Sequence, residues 1–92
     1  MEIINNGLEE IMSALVLVNP GTREEEMYLI KEVITSKSGA WFYHHVNLSR
    51  GTPTQVIFRL KYDTEKKILM VKFFGRVIRS EPGGFAVAFE YP

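Results

Sequence analysis

From Gln55 to Asp63 apolar side chains recur at every second position, Val56, Phe58, Leu60 and Tyr62 on one side, with Arg59 and Lys61 on the other. Period two is the repeat of a strand, whose successive side chains point to opposite faces; a helix would scatter this set around its axis. One face of such a strand must be covered, so the stretch commits the chain to a sheet with a packed side. Two further strands follow. The polar tetrad Asp63–Lys66 and the tetrad Glu81-Pro82-Gly83-Gly84 read as hairpin connections, the second with glycine where positive φ is needed. They join Gln55–Asp63 to a run at Ile68–Arg79, and that run to Phe85–Tyr91, where Phe85, Val87 and Phe89 alternate with small Ala86 and Ala88. Gly75, isolated within the middle run, predicts a bulge or bend of the kind that closes barrels.

The N-terminal half carries weaker versions of the same pattern. Ala14–Val18 reads as a strand stopped by Asn19-Pro20-Gly21, in which proline fixes φ and glycine accepts positive φ. The acidic run Glu24–Glu26 reads as a solvated loop, because adjacent like charges need water. Glu26–Ile34 predicts one long strand, Ser36–Gly39 a tight corner with Gly39 at positive φ, Ala40–Val46 another strand and Asn47–Pro53 a loop. Leu8, Ile11, Met12 and Leu15 fall at i, i+3, i+4 and i+7, which predicts a short N-terminal helix capped at Asn5 or Asn6. Six strands spaced by turns give an all-β fold, a small six-stranded antiparallel barrel whose interior includes Val56, Phe58, Leu60, Val87 and Phe89.

Composition narrows the function classes. The chain of 92 residues is expected to be a single domain, 1–92, and 46% hydrophobic with 12% aromatic residues is enough for one core. Its 11 basic and 11 acidic side chains cancel, so no summed positive field attracts polymeric nucleic acid or an anionic membrane. Cysteine is absent, which removes disulfides, thiolate metal sites and thiol nucleophiles together. No apolar run approaches the roughly eighteen residues of a membrane span, and the first residues carry acids in place of a basic leader, so the expected location is the cytoplasm.

No pattern of catalytic chemistry emerges. His44 and His45 are the only histidines, and as neighbours on a strand they point to opposite faces and cannot chelate one ion, so no metal site is expected. The phosphate-cradling patterns G-x-x-x-x-G-K-[ST] and G-x-G-x-x-G do not occur, and the glycine pair sits in a hairpin away from any helix N-terminus. There is no nucleophile elbow and no pair of acids at pocket-like spacing, so the chain reads as a binding module with no catalytic residue, not as an enzyme. Trp41, Phe42 and Tyr43 invite a base-stacking reading, but alternation along a strand sends part of that run into the core.

One spacing remains. Ser36-x-x-Gly39 lies directly between two apolar strands, and Gly75-Arg76-Val77-Ile78-Arg79 and Gly83-Gly84-Phe85-Ala86-Val87 follow it. This resembles the PilZ family, in which a [D/N]-x-S-x-x-G turn joins two barrel strands and the C-terminal hairpin reads like G-R-V-x-R, a turn, then G-x-x-V-x-F. The stretches Ile34–Ala40 and Gly75–Phe89 match in order and spacing. The resemblance implies a PilZ-like regulatory domain of bacterial cyclic di-GMP signalling, with Ser36 and Gly39 as the ligand-binding positions of the turn. The chemistry of that task explains the motif: guanine presents N7 and O6 as paired acceptors for an arginine fork, and a carboxylate or amide accepts from the base N–H groups.

The sequence departs from the family where the ligand would be gripped. The R-x-x-x-R segment that precedes the family's first strand has no counterpart, since residues 1–22 contain no arginine and nowhere do two arginines stand four apart. The acid or amide position of the turn is Ile34, which accepts nothing. The reading is therefore a degenerate PilZ-like adaptor that acts through a protein partner and binds cyclic di-GMP weakly or not at all, with no cofactor. Its rivals are a variant cyclic di-GMP receptor drawing on Arg23, Arg50, Arg76, Arg79 and Lys37, and a small β-barrel enzyme or carbohydrate-binding module. The sequence assigns no oligomeric state.

Overall fold

A computed structural model describes residues 9–62 and 68–90, and within them every regular element is a strand. There are seven: β1 (Glu9–Val18), β2 (Glu26–Ile30), β3 (Val33–Thr35), β4 (Gly39–Tyr43), β5 (Pro53–Tyr62), β6 (Ile68–Glu81) and β7 (Gly84–Glu90). They form one antiparallel sheet in the order β2-β1-β5-β6-β7-β4-β3. Among the described residues no helix is long and apolar enough to cross a membrane.

The helix expected near the N-terminus is not formed. Ile11, Met12 and Leu15 lie in β1, while Leu8, Asn5 and Asn6 fall outside the described residues. A register shift between Ile11 and Ser13 in the ladder to β5 makes Met12 an inserted residue, so the inward set is Ile11, Ala14, Val16 and Val18, while Leu15 pairs with Leu29 of β2 on the other face; of the helical set only Ile11 points to the core.

The strand count is also corrected, from six to seven, because the single run read at Glu26–Ile34 is interrupted by the exposed pair Lys31-Glu32. β2 pairs with β1 and β3 with β4, so two elements adjacent in the chain stand at opposite ends of the sheet order. Flat, seven strands at about 4.8 Å spacing would hold those ends about 29 Å apart. Three peptide steps from Ile30 to Val33 span at most about 11 Å. The sheet is thus curled into a half-barrel.

The concave side is the core. Val56, Phe58, Leu60, Val87 and Phe89 are all buried there, with Ala14, Val16, Val18, Phe42, Val77 and Phe85. Phe42 stacks between Phe85 at 5.2 Å and Phe58 at 6.3 Å, and Phe89 stacks on Phe73 at 4.5 Å. β4 ends at Tyr43, short of the expected Val46, and the segment from His44 to Thr52 crosses one end of the core, carrying Leu48 into it. That crossing is tied to the end of β6: Gly51 N–H donates to the Val77 carbonyl, Val77 N–H to the Thr52 carbonyl, and Leu48 N–H to Ser80 Oγ.

The turns at Gly21 and Gly83 have the positive φ read for them, 78° and 92°. Gly75 does not mark the bulge in β6, which lies between Val77 and Arg79. At Gly75 a Cβ would sit 2.7 Å from Val87 Cγ1 and closer still to the Ala88 carbonyl oxygen, so glycine serves close packing of β6 on β7. The acidic run is exposed, but Glu26 opens β2, and Glu25 accepts a 2.7 Å hydrogen bond from Gly21 N–H.

Candidate functional site

Ser36 and Gly39 bracket the β3–β4 turn. The Ser36 N–H donates to the Gly39 carbonyl at 2.9 Å, and Ser36 Oγ stands 3.4 Å from both that carbonyl and the Ser38 N–H, so the serine closes its own turn. Gly39 is not at positive φ, contrary to expectation. It is pinned by its neighbour across the sheet: a Cβ there would run into the Val87 carbonyl oxygen of β7, with Ala88 Cα at 3.3 Å. Glycine is needed because two backbones meet, at the first residue of β4 and past the bend at Lys37 and Ser38.

The outer face beside this turn is built by cross-strand register. Ile34 pairs with Trp41, Trp41 with Ala86, and Ala86 with Arg79, so one row crosses β3, β4, β7 and β6. The neighbouring row runs from Gly39 through Ala88 to Arg76. Inward partners Phe42, Phe85 and Val87 are core residues. The small side chains of β7 leave a depression of about 340 Å³ walled by Ile34, Trp41, Ile78 and Arg79, with Ser36 and Gly39 on its rim.

The β6 bulge completes the wall. Val77 pairs with Val87 and Arg79 with Ala86, so Ile78 is the extra residue, and both Ile78 and Arg79 are exposed while Val77 is buried. An inserted residue re-aims the side chains that follow it. Here it sets an isoleucine and an arginine side by side next to Trp41. The Arg79 guanidinium lies 5.1 Å from the Trp41 ring centroid, and its Nε is 2.7 Å from Glu81 Oε2. Trp41 also meets Tyr43 edge-on at 6.2 Å. Of the Trp41-Phe42-Tyr43 run, the middle residue is core and the flanking two face outward.

Arg79 is the one charged side chain lining the groove among the described residues. Arg76 is directed away from it, with Nε 3.3 Å from Glu90 Oε2 and Nη1 donating to the Gly51 carbonyl at 3.1 Å. Arg23, Arg50 and Lys37 are exposed and do not line it. Ile34 is 57% exposed and lines the groove. His44 and His45 lie past the end of β4: His44 packs on Tyr28 at 5.1 Å, and His45 lines a separate cavity of about 420 Å³ with Asn47, Ser80 and Glu81. No cluster of three or more metal-ligating side chains occurs among the described residues.

Sequence reasoning placed the turn but missed Trp41, Ile78 and Ala86 as parts of one surface. A signal existed in the consecutive Ile78-Arg79 after inward Val77, which breaks the alternation of that strand. Comparison with family models, with curated proteins and with solved structures returned no match to this chain.

Proposed function

We propose that this chain is a PilZ-like binding domain that works as an adaptor, docking a protein partner in the groove over β3, β4, β7 and β6. The observation that carries the reading is the character of that groove: Ile34 and Ile78, exposed 57% and 49%, flank Trp41 over a floor of alanines, and the one cation lining it among the described residues is already paired with Glu81. A dianionic ligand needs several cations and an acceptor for the base N–H groups. A half-buried tryptophan and an exposed arginine beside aliphatic side chains match what anchors a protein partner, where such residues dominate the binding energy. The assignment to bacterial cyclic di-GMP signalling rests on the sequence resemblance.

One feature favours the variant-receptor reading. Arg79 stacked on Trp41 beside the Ser36–Gly39 turn offers a fork and a ring face within one groove. In that case Arg79 must exchange Glu81 for the ligand.

The test is retention of a partner from an extract of the source cells, with the chain as bait. Ile34→Asp adds a charge to an exposed position and leaves the core untouched. It is expected to reduce retention by about 30-fold or more, the scale of a hot-spot loss, as is Trp41→Ala. Ile57→Asp, on the outer face away from the groove, is expected to leave retention unchanged. Equal retention by Ile34→Asp and the parent chain overturns the reading.

A further inference from the structure

The two arginines of β6 are satisfied differently. Arg76 uses both ends of its fork within the chain, Nε toward Glu90 and Nη1 to the Gly51 carbonyl. Arg79, at the groove, has the Trp41 ring against its guanidinium face and Glu81 Oε2 at its Nε. Among the described residues no acceptor meets its terminal Nη1 and Nη2 groups. The Arg79–Glu81 pair is itself exposed, 65% and 50% by side chain, and ion pairs this wet are weakly held.

We propose that the groove takes an extended segment of its protein partner, with a side-chain carboxylate on Arg79 and an aliphatic side chain beside it against Ile34 and Ile78. This rests on the groove being the docking surface and names the chemistry that the surface selects. Covering the groove takes water from Arg79 as well as from the isoleucines, and a guanidinium left short of acceptors in a dry contact is costly. Glu81 meets the Nε side alone, so the partner must bring the acceptor for the rest of the fork. A carboxylate fits that fork in a bidentate pair. Because Glu81 already offsets the single positive charge, a dianionic phosphate finds no surplus cation here, and Glu81 competes with any anion that enters. The shape of the groove selects the form of the segment. Its floor, Ala86 and Ala88, is one strand wide, between walls that rise from β4 and β6. Two strand spacings put the backbones of those walls about 9.6 Å apart. A helix with its side chains is about 10 to 12 Å across and rides above such a floor, whereas an extended chain reaches it.

The test is selection of random peptides, displayed without a free C-terminus, on the immobilised chain, followed by titration of a selected peptide in solution. The chain is expected to enrich Asp or Glu next to Leu, Ile or Val. Arg79→Gln should weaken the selected peptide about tenfold or more, the scale of a lost charge-assisted hydrogen bond. Glu81→Gln removes the competitor and should strengthen it about two- to fivefold. Arg79→Glu should prefer the same peptide with its acid replaced by arginine. Aliphatic peptides without an acid, weakened by Ile34→Asp but indifferent to Arg79→Gln, would overturn this inference and leave the groove as the docking surface. Selected peptides indifferent to Ile34→Asp would overturn both. No enrichment would overturn the inference alone, since retention of a folded partner and its loss in Ile34→Asp would still stand.

Discussion

Phe58 and Arg59 are neighbours in the chain with opposite fates. Phe58 is fully buried and touches Phe42, Phe73 and Phe89, whereas Arg59 faces outward from the same strand. Phe58→Ala is expected to cost about 3 to 5 kcal/mol in denaturant unfolding by leaving a cavity among those rings, and Arg59→Ala about 0.5 or less. Similar costs would reject the assignment of faces. Gly39 tests a different force. Because its Cβ would meet the Val87 carbonyl oxygen, even Gly39→Ala should cost more than about 1 kcal/mol. Nothing lies within 4 Å of a Cβ at Gly51, and φ there is 90°, so Gly51→Asn, which tolerates that region, should be milder. The need for glycine at 39 was legible in the S-x-x-G spacing, but its reason was not. Close approach of β7 is a long-range event, and the residues around 39 carry no trace of it.

At the scale of elements, the strands that follow simple alternation were legible and those with an irregularity were misread. β5 and β7 announce themselves because Val56, Phe58, Leu60, Phe85, Val87 and Phe89 keep period two from end to end. β1 was misread because its inward set, Ile11, Ala14, Val16 and Val18, is offset by the residue inserted between Ile11 and Ser13 and so never keeps one plain period. The break at Lys31-Glu32 was invisible because either partner, β1 or β4, suits the flanking apolar residues, and which one is chosen depends on the curl of the whole sheet. The bulge at Ile78 matters most for the groove. Deleting Ile78 restores regular alternation, leaving Val77 opposite Val87 and Arg79 opposite Ala86, so the fold should survive with a stability change of about 1 kcal/mol. One wall of the groove is lost with it, and partner retention should fall as it does for Ile34→Asp. A deletion that unfolds the chain, or one that leaves retention intact, would show that the bulge does something else.

For the whole molecule, the all-β class and the packed concave side were readable from strand spacing, and the seven-stranded half-barrel emerges from one crossing between its edges. The candidate groove was readable only at its rim. Ser36 and Gly39 lie in a contiguous motif, whereas Ile34, Trp41, Ile78, Arg79 and Ala86 come together through three ladders. What the groove lacks sets its expected ligand. Even with Arg79 credited, one arginine and the acceptor at Ile34 are missing relative to the motif-complete family. At about 1.5 to 3 kcal/mol for each hydrogen bond to a charged group, that forfeits roughly 3 to 6 kcal/mol of the about 8.2 that a micromolar complex represents.

Calorimetric titration of the chain with cyclic di-GMP measures that difference directly. The adaptor account predicts no saturable heat in the low-micromolar range, with any dissociation constant about 100-fold or more above 1 μM. A saturable isotherm with a dissociation constant below a few micromolar, abolished by Arg79→Ala, would contradict it and make the groove a receptor site for the nucleotide.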